Sequence, residues 1–137
     1  MGKIAFNSDQ GLKHMTMGEN SVLNTWLIGV NAGKLDEVVA LYDENAILLP
    51  TFSTKILSDH QSIEDYFKGL AHRGKVCVNL LNNSLSSHTL GDSLRGIYGF
   101  YKWHFVDEDL SLTARFTYLT DTSKPSPILH HHSSLVP

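Results

Sequence analysis

The chain has 137 residues, eleven Lys and Arg against fourteen Asp and Glu, a formal charge of -3 and a pI near 6.2. That balance leaves no basic field for a nucleic-acid backbone, and no apolar run approaches the roughly 18 to 20 residues that a bilayer crossing needs. The length suits one domain burying roughly two-thirds of its unfolded surface. The lone Cys77 excludes an internal disulfide or a multi-cysteine zinc site and fits a reducing, cytoplasmic setting.

Residues 1–17 carry no apolar signal core and read as a mobile leader to a single domain over 18–137. From Ser21, the apolar residues Val22, Leu23, Trp26, Leu27 and Val30 recur at helical spacing. With Asn20 or Ser21 as cap they predict a first helix ending near Gly33. Leu35, Val38, Val39, Leu41 and Tyr42 predict a short second helix, with Asp36 and Glu37 in its first turn, where the helix dipole favours carboxylates. The run 46–49 (Ala-Ile-Leu-Leu), stopped by Pro50, predicts a strand that delivers the loop 51–58 to its end. Ser58 or Asp59 then caps a third helix whose buried face holds Ile63, Tyr66, Phe67 and Leu70, closing before Gly74.

After Gly74 the period changes. Residues 76–85, 93–105 and 110–120 are rich in β-branched and aromatic side chains and predict three long strands; 129–135 supplies a last one after Pro125 and Pro127. The order implies an α+β fold in which three helices pack on one face of a curved antiparallel sheet. Such a sheet leaves a cone-shaped hollow, a default ligand site, lined by its inner face, the third helix and the loop after Pro50.

The chain closes on His130-His131-His132-Ser133-Ser134-Leu135-Val136-Pro137. Strand alternation places His131 and Ser133 on one face and His130, His132 and Ser134 on the other. Adjacent histidines therefore diverge, and a three-histidine zinc site would need help from His60, His72, His88 or His104, so a site without metal is favoured over zinc. Arg115 shares a side of its strand with Thr117, opposite Phe116 and Tyr118. It reads either as a guanidinium inside the hollow that anchors an anion or as a structural ion-pair partner. The aromatic run Tyr98, Tyr101, Trp103 and Phe105 reads as core and interface packing.

Several segments together carry a resemblance. They are Trp26 through Tyr42, the corner Leu48-Leu49-Pro50-Thr51, the run Ile63-Glu64-Asp65-Tyr66-Phe67, the run Ala114-Arg115-Phe116-Thr117-Tyr118, and the terminal His-His-His-Ser-Ser-x-x-Pro. Over about residues 20–137 they resemble the nuclear-transport-factor-2-like (SnoaL-like) superfamily, in the branch of the calcium/calmodulin-dependent protein kinase II association domain. Small proteins of that branch ending in His-His-His-Ser-Ser resemble iota-class carbonic anhydrases, some of which work without metal. Two segments depart from the pattern: residues 123–127 (Ser-Lys-Pro-Ser-Pro) replace a Gly-Lys-Trp turn, and 94–98 (Leu-Arg-Gly-Ile-Tyr) a Gly-Tyr-Tyr stretch.

The resemblance implies reversible hydration of carbon dioxide to bicarbonate, with Thr51, Tyr66, His131 and Ser133 as the site and no cofactor. It also implies a homodimer through the sheets or a larger ring. In this reading His131 accepts or relays the proton of the attacking water, because an unperturbed imidazole titrates closest to neutrality. The three hydroxyls orient that water and donate to the forming bicarbonate. The alternatives are an oligomerisation module without chemistry and a small-carboxylate-binding protein anchored by Arg115.

Overall fold

Helix α1 (Met17–Ala32) turns Val22, Leu23, Trp26 and Val30 into the core at helical spacing. It stops in a Schellman arrangement. Gly33, at φ +71°, donates its N–H to the Val30 carbonyl, and the following N–H, of Lys34, reaches back to the Gly29 carbonyl. The computed structural model describes residues 17–137, with side chains from Val22 onward. The expected leader thus lies, Met17 apart, outside the described residues.

Helix α2 (Leu35–Val39) follows at once, so close to α1 that a Cβ on Gly29 would sit 2.7 Å from Val38 Cγ2. Tyr42, expected in this helix, instead opens strand β1 (Tyr42–Leu49). Tertiary pairing overrides the local helical period there: the Ile128 N–H donates to the Leu41 carbonyl, and Tyr42 stands opposite Ile128. Beyond Pro50 the chain doubles back until Leu57 and Leu48 exchange two backbone hydrogen bonds of 2.9 Å. Helix α3 (His60–Ala71) then starts on Asp59, whose carboxylate accepts the Ser62 N–H at 2.7 Å, and buries Ile63, Phe67 and Leu70.

The remaining strands are β2 (Val76–Leu80), β3 (Ser86–Thr89), β4 (Leu94–Phe105), β5 (Leu110–Asp121) and β6 (Ile128–Leu135). The expected single strand over 76–85 is broken by a 3₁₀ turn at Asn82–Ser84, where the Ser84 hydroxyl accepts the Phe100 N–H at 2.8 Å. As a result β2 and β3 pair with different stretches of β4. Cys77, in β2, is a half-buried free thiol.

The strand order is β1-β6-β5-β4-β2, with β3 also beside β4. An all-antiparallel sheet was expected; the sheet is mixed, because β1 runs parallel to β6. Parallel neighbours require a long connection between them, and here the whole intervening chain supplies it. The pairing sets Leu48 beside His131 and Leu49 beside His132, which fixes the depth of the terminal motif in the sheet. The inner sheet face and the helices share a core of large aromatics, chiefly Trp26, Tyr42, Phe67, Tyr101, Trp103 and Tyr118. No helix among the described residues is long and apolar enough to cross a membrane.

Candidate active site

Strand β6 carries the site by alternation. His131 is 2% exposed and Ser133 4%, both on the inner face, while His132 between them is exposed on the outer face with the half-buried His130 and Ser134. Thr51, first residue of the doubled-back loop, brings its hydroxyl onto the Ser133 hydroxyl in a short hydrogen bond. Tyr66, half-buried on α3, receives the Phe52 N–H on its phenol oxygen at 3.4 Å.

These four side chains line one small cavity of about 10 Å³, completed by the apolar groups of Leu48, Pro50 and Phe67 and the rings of Trp26, Tyr101 and Trp103. That is about the room one water needs. On the far side of Thr51 and Ser133 lies an open depression of about 360 Å³, bordered by the loop from Pro50 to Ile56 and by His132, Ser134 and Leu135. Pro50, Thr51 and Ser133 belong to both spaces, and the two hydroxyls are the polar part of the wall between them.

Both ring nitrogens of His131 are engaged. Nδ1 meets the Tyr42 hydroxyl at 2.8 Å and Nε2 the Tyr101 hydroxyl at 3.2 Å. The Tyr118 ring stacks on the imidazole at 3.9 Å and the Trp26 ring meets it edge-on at 5.5 Å. Burial in this aromatic surround, with His130 and His132 nearby, pushes its pKa down to about 3. The premise for His131 as proton acceptor, a pKa near neutrality, therefore fails: the ring is neutral, a weak base, and already bonded on both sides. Burial acts on the tyrosines too, raising Tyr66 to about 12 and holding Tyr42 and Tyr101 well above the usual phenol range. All three are O–H donors at neutral pH.

Arg115 is the residue that the structure moves away. It is exposed on the outward face of β5, while its neighbours Phe116 and Tyr118 take the core side. It borders a shallow depression with Tyr98, Phe100, Thr117, His132 and Ser134, across the sheet from the cavity. The strand parity was legible in the sequence, but which parity faces inward is set by the aromatics, whose burial outweighs that of a guanidinium. The same alternation splits the aromatic run of β4: Tyr101, Trp103 and Phe105 are buried, Tyr98 half-buried and Phe100 exposed.

Tyr42, Tyr101 and Trp26 are site residues that the sequence reading assigned to packing. A signal existed, since a buried Tyr or Trp carries a polar handle that needs a partner. His130 and His132 point away from His131, His72 and His88 are exposed, and His60 and His104 bind elsewhere, to the Tyr42 carbonyl and the Ser111 hydroxyl. Among the described residues no three His, Cys, Asp or Glu side chains gather as a metal-ligand group.

No family model matches the sequence, and no curated protein does. Solved structures do. A protein from Xanthomonas campestris assigned as a calcium/calmodulin dependent protein kinase II association domain is 26% identical, with a TM-score of 0.76 over 85% of this chain and 84% of its own. A nuclear-transport-factor-2-like protein of unknown function from Pseudomonas putida is 14% identical, with a TM-score of 0.72 over 84% and 82% of the two chains. A further such protein, from Shewanella oneidensis, is 17% identical, with a TM-score of 0.67 over 85% and 96%.

Proposed function

We propose that this chain, whose fold is similar to that of nuclear-transport-factor-2-like proteins, hydrates carbon dioxide reversibly at the Thr51–Tyr66–Ser133 cavity. The observation that carries this reading is a water-sized cavity lined by the hydroxyl-bearing Thr51, Tyr66 and Ser133 together with apolar groups. Hydration needs a held water, an apolar approach for the gas and donors for the charge that grows on oxygen.

The cavity holds the water. Carbon dioxide is larger than the remaining space, so it meets that water at the Thr51–Ser133 wall, from the side of the open depression. The water oxygen bonds to carbon, one C=O electron pair moves to oxygen, and the water's proton leaves through the wall hydroxyls toward solvent, where the exposed His132 borders the depression. Bicarbonate and a proton are the products, so atoms and charge balance. His131 acts here as a positioning residue instead of a base. No cofactor enters the reading, because the terminal histidines diverge and the chemistry rests on neutral hydroxyls.

Stopped-flow hydration assays test it. Ser133→Ala and Tyr66→Phe each remove one donor, which at an oxyanion-type site lowers the rate by about 100-fold. A folded protein that hydrates carbon dioxide no faster than buffer removes the proposal.

A second reading, an association module, has its own observation. The outward face of the sheet exposes Phe100 and Ile47 alongside the half-buried Tyr98, Leu49 and Leu119. A paired copy would cover them, and the similarity to an association domain fits this. Sedimentation velocity at micromolar concentration then gives a dimer or larger species that Phe100→Glu dissociates; a wild-type monomer defeats the reading. Both readings can hold at once, since cavity and outer face lie on opposite sides of one sheet.

A further inference from the structure

The sequence leaves Arg115 two roles, an anion anchor inside the hollow or the partner of a carboxylate, and the structure gives it neither. Its guanidinium stands on the outward face of β5 and makes no ion pair among the described residues. The other two arginines are engaged: Arg73 binds the Glu108 carboxylate, and Arg95 donates to the Gly91 and Leu94 carbonyls. Strand register sets the surroundings of Arg115. Phe100 and Ser134 stand directly opposite it on β4 and β6, and Tyr98, Thr117 and His132 form the next outward row. Together they border an open depression of about 320 Å³. The Tyr98 phenol folds over Gly96, where any Cβ would collide with it, and so leans away from Arg115. The Thr117 and Ser134 hydroxyls have no hydrogen-bond partner among the described residues.

No carboxylate answers this charge. On the outward faces of β4, β5 and β6 the one acidic residue is Asp121, about 20 Å from Arg115 along the strand, where the Ser93 and Ser123 hydroxyls hold it. Lys102, exposed and also without an ion pair among the described residues, sits diagonally from Arg115, because it faces Thr113 as Phe100 faces Arg115. Such diagonal neighbours on one face lie about 7 to 8 Å apart. Unanswered positive charge, free hydroxyls and an imidazole thus share one face of a chain whose net charge is -3.

We infer that the Arg115 depression is a binding site for a phosphate-type oxyanion, either inorganic phosphate or a phosphate monoester. The guanidinium fork takes two oxygens side by side, and the Thr117 and Ser134 hydroxyls and the His132 ring donate to the others. A tetrahedral oxyanion has acceptors for that whole set, whereas a carboxylate has only its two oxygens. Phe100, 39% exposed beside the guanidinium, offers a flat apolar surface to the organic part of a monoester. The site lies across the sheet from the hydration cavity and is independent of the proposed hydration. Its consequence for pairing rests on the association reading. Two copies meeting through this face bring Arg115 and Lys102 toward the same charges, and like charges oppose contact. A bound oxyanion offsets that repulsion, so phosphate favours the pair over the single copy and strengthens association.

Amide ¹H–¹⁵N spectra of the full chain in Tris chloride at neutral pH, titrated with sodium phosphate, phenyl phosphate or sodium chloride at matched ionic strength, test the site. Phosphate is expected to shift the amides of Arg115, Thr117 and Ser134 saturably, and chloride is not. Arg115→Gln, a change at an exposed position, leaves the fold intact and weakens phosphate about tenfold through loss of a charge-assisted contact. Phenyl phosphate that binds more tightly than phosphate in the wild type, and loses that advantage in Phe100→Ala, identifies a monoester as the ligand; equal binding throughout identifies inorganic phosphate. Either result keeps the site. Sedimentation velocity follows the consequence: phosphate raises the paired fraction of the wild type and leaves that of Arg115→Gln unchanged.

No saturable shift, a chloride response equal to that of phosphate, or an unchanged phosphate affinity in Arg115→Gln overturns the inference. Pairing of a chain that binds no phosphate keeps the association reading and overturns the site. Phosphate binding at Arg115 in a chain that stays monomeric throughout keeps the site and removes the association reading.

Discussion

Thr51 and Ser133 are small side chains in a core of large rings, and their value lies in being hydroxyls at a boundary. Each lines both the inner cavity and the outer depression. Thr51→Ser keeps the hydroxyl and loses a methyl, whereas Thr51→Val keeps the shape and loses the hydroxyl. If the hydroxyl matters, hydration survives in Thr51→Ser and falls by about 100-fold in Thr51→Val; equal rates in the two would assign Thr51 to packing. At this scale much of the site was legible. The alternation of a terminal strand was enough to pair His131 with Ser133, whereas Thr51 and Tyr66, which line the same cavity, came only from the family resemblance. The role of His131 was not legible, because the type of residue suggests a base while its burial, which only the fold reveals, makes it a neutral link.

Elements place these residues, and two devices hold the elements in position. The doubled-back loop pins Thr51 through the Leu48–Leu57 pair. Asn31, at the end of α1, imitates a neighbouring strand: its Nδ2 donates to the Val78 carbonyl at 2.9 Å and its Oδ1 accepts the Val78 N–H at 2.6 Å. This clamp satisfies the Val78 backbone groups on the outer edge of β2 and ties that strand to the helix that carries Trp26. Asn31→Ala leaves both backbone groups half-buried and unpaired, and should lower stability by about 2 kcal/mol in urea unfolding. A loss below about 0.5 kcal/mol would mean that water replaces the clamp without penalty. Helix α3 and its Asp59 cap were readable from spacing and capping chemistry. Strand β1 was readable only in part, because the five residues of α2 and the start of β1 share an apolar run whose period looks helical until β6 pairs with it. That pairing joins distant segments, and local pattern carries no information about it.

For the whole molecule, burying a neutral imidazole ties stability to pH. His131 has a folded pKa of about 3, against about 6.5 in an unfolded chain. Between those values the unfolded chain takes up a proton that the folded one refuses. Stability from this group is thus complete above about pH 6.5 and lost as pH falls toward 3, with a slope on the order of 1.4 kcal/mol per pH unit. Urea unfolding at a series of pH values should show that slope in the wild type and a shallower one in His131→Phe, which has nothing to titrate there. Parallel profiles would mean that the ring meets solvent. Strand alternation also puts the buried Tyr101, His131 and Ser133 on one face of the mixed sheet and Ile47 and Phe100 on the other, so the proposed hydration and the proposed assembly can be altered independently.

The central claim is that a water in the Thr51–Tyr66–Ser133 cavity attacks carbon dioxide, and the most direct measurement is loss of ¹⁸O from labelled bicarbonate, followed by mass spectrometry at chemical equilibrium. The account predicts that the chelator-treated wild-type protein speeds this loss in proportion to its concentration and that Ser133→Ala, folded by its amide spectrum, is reduced toward the buffer rate. Label loss in folded wild type indistinguishable from buffer, or equal in Ser133→Ala, would contradict it.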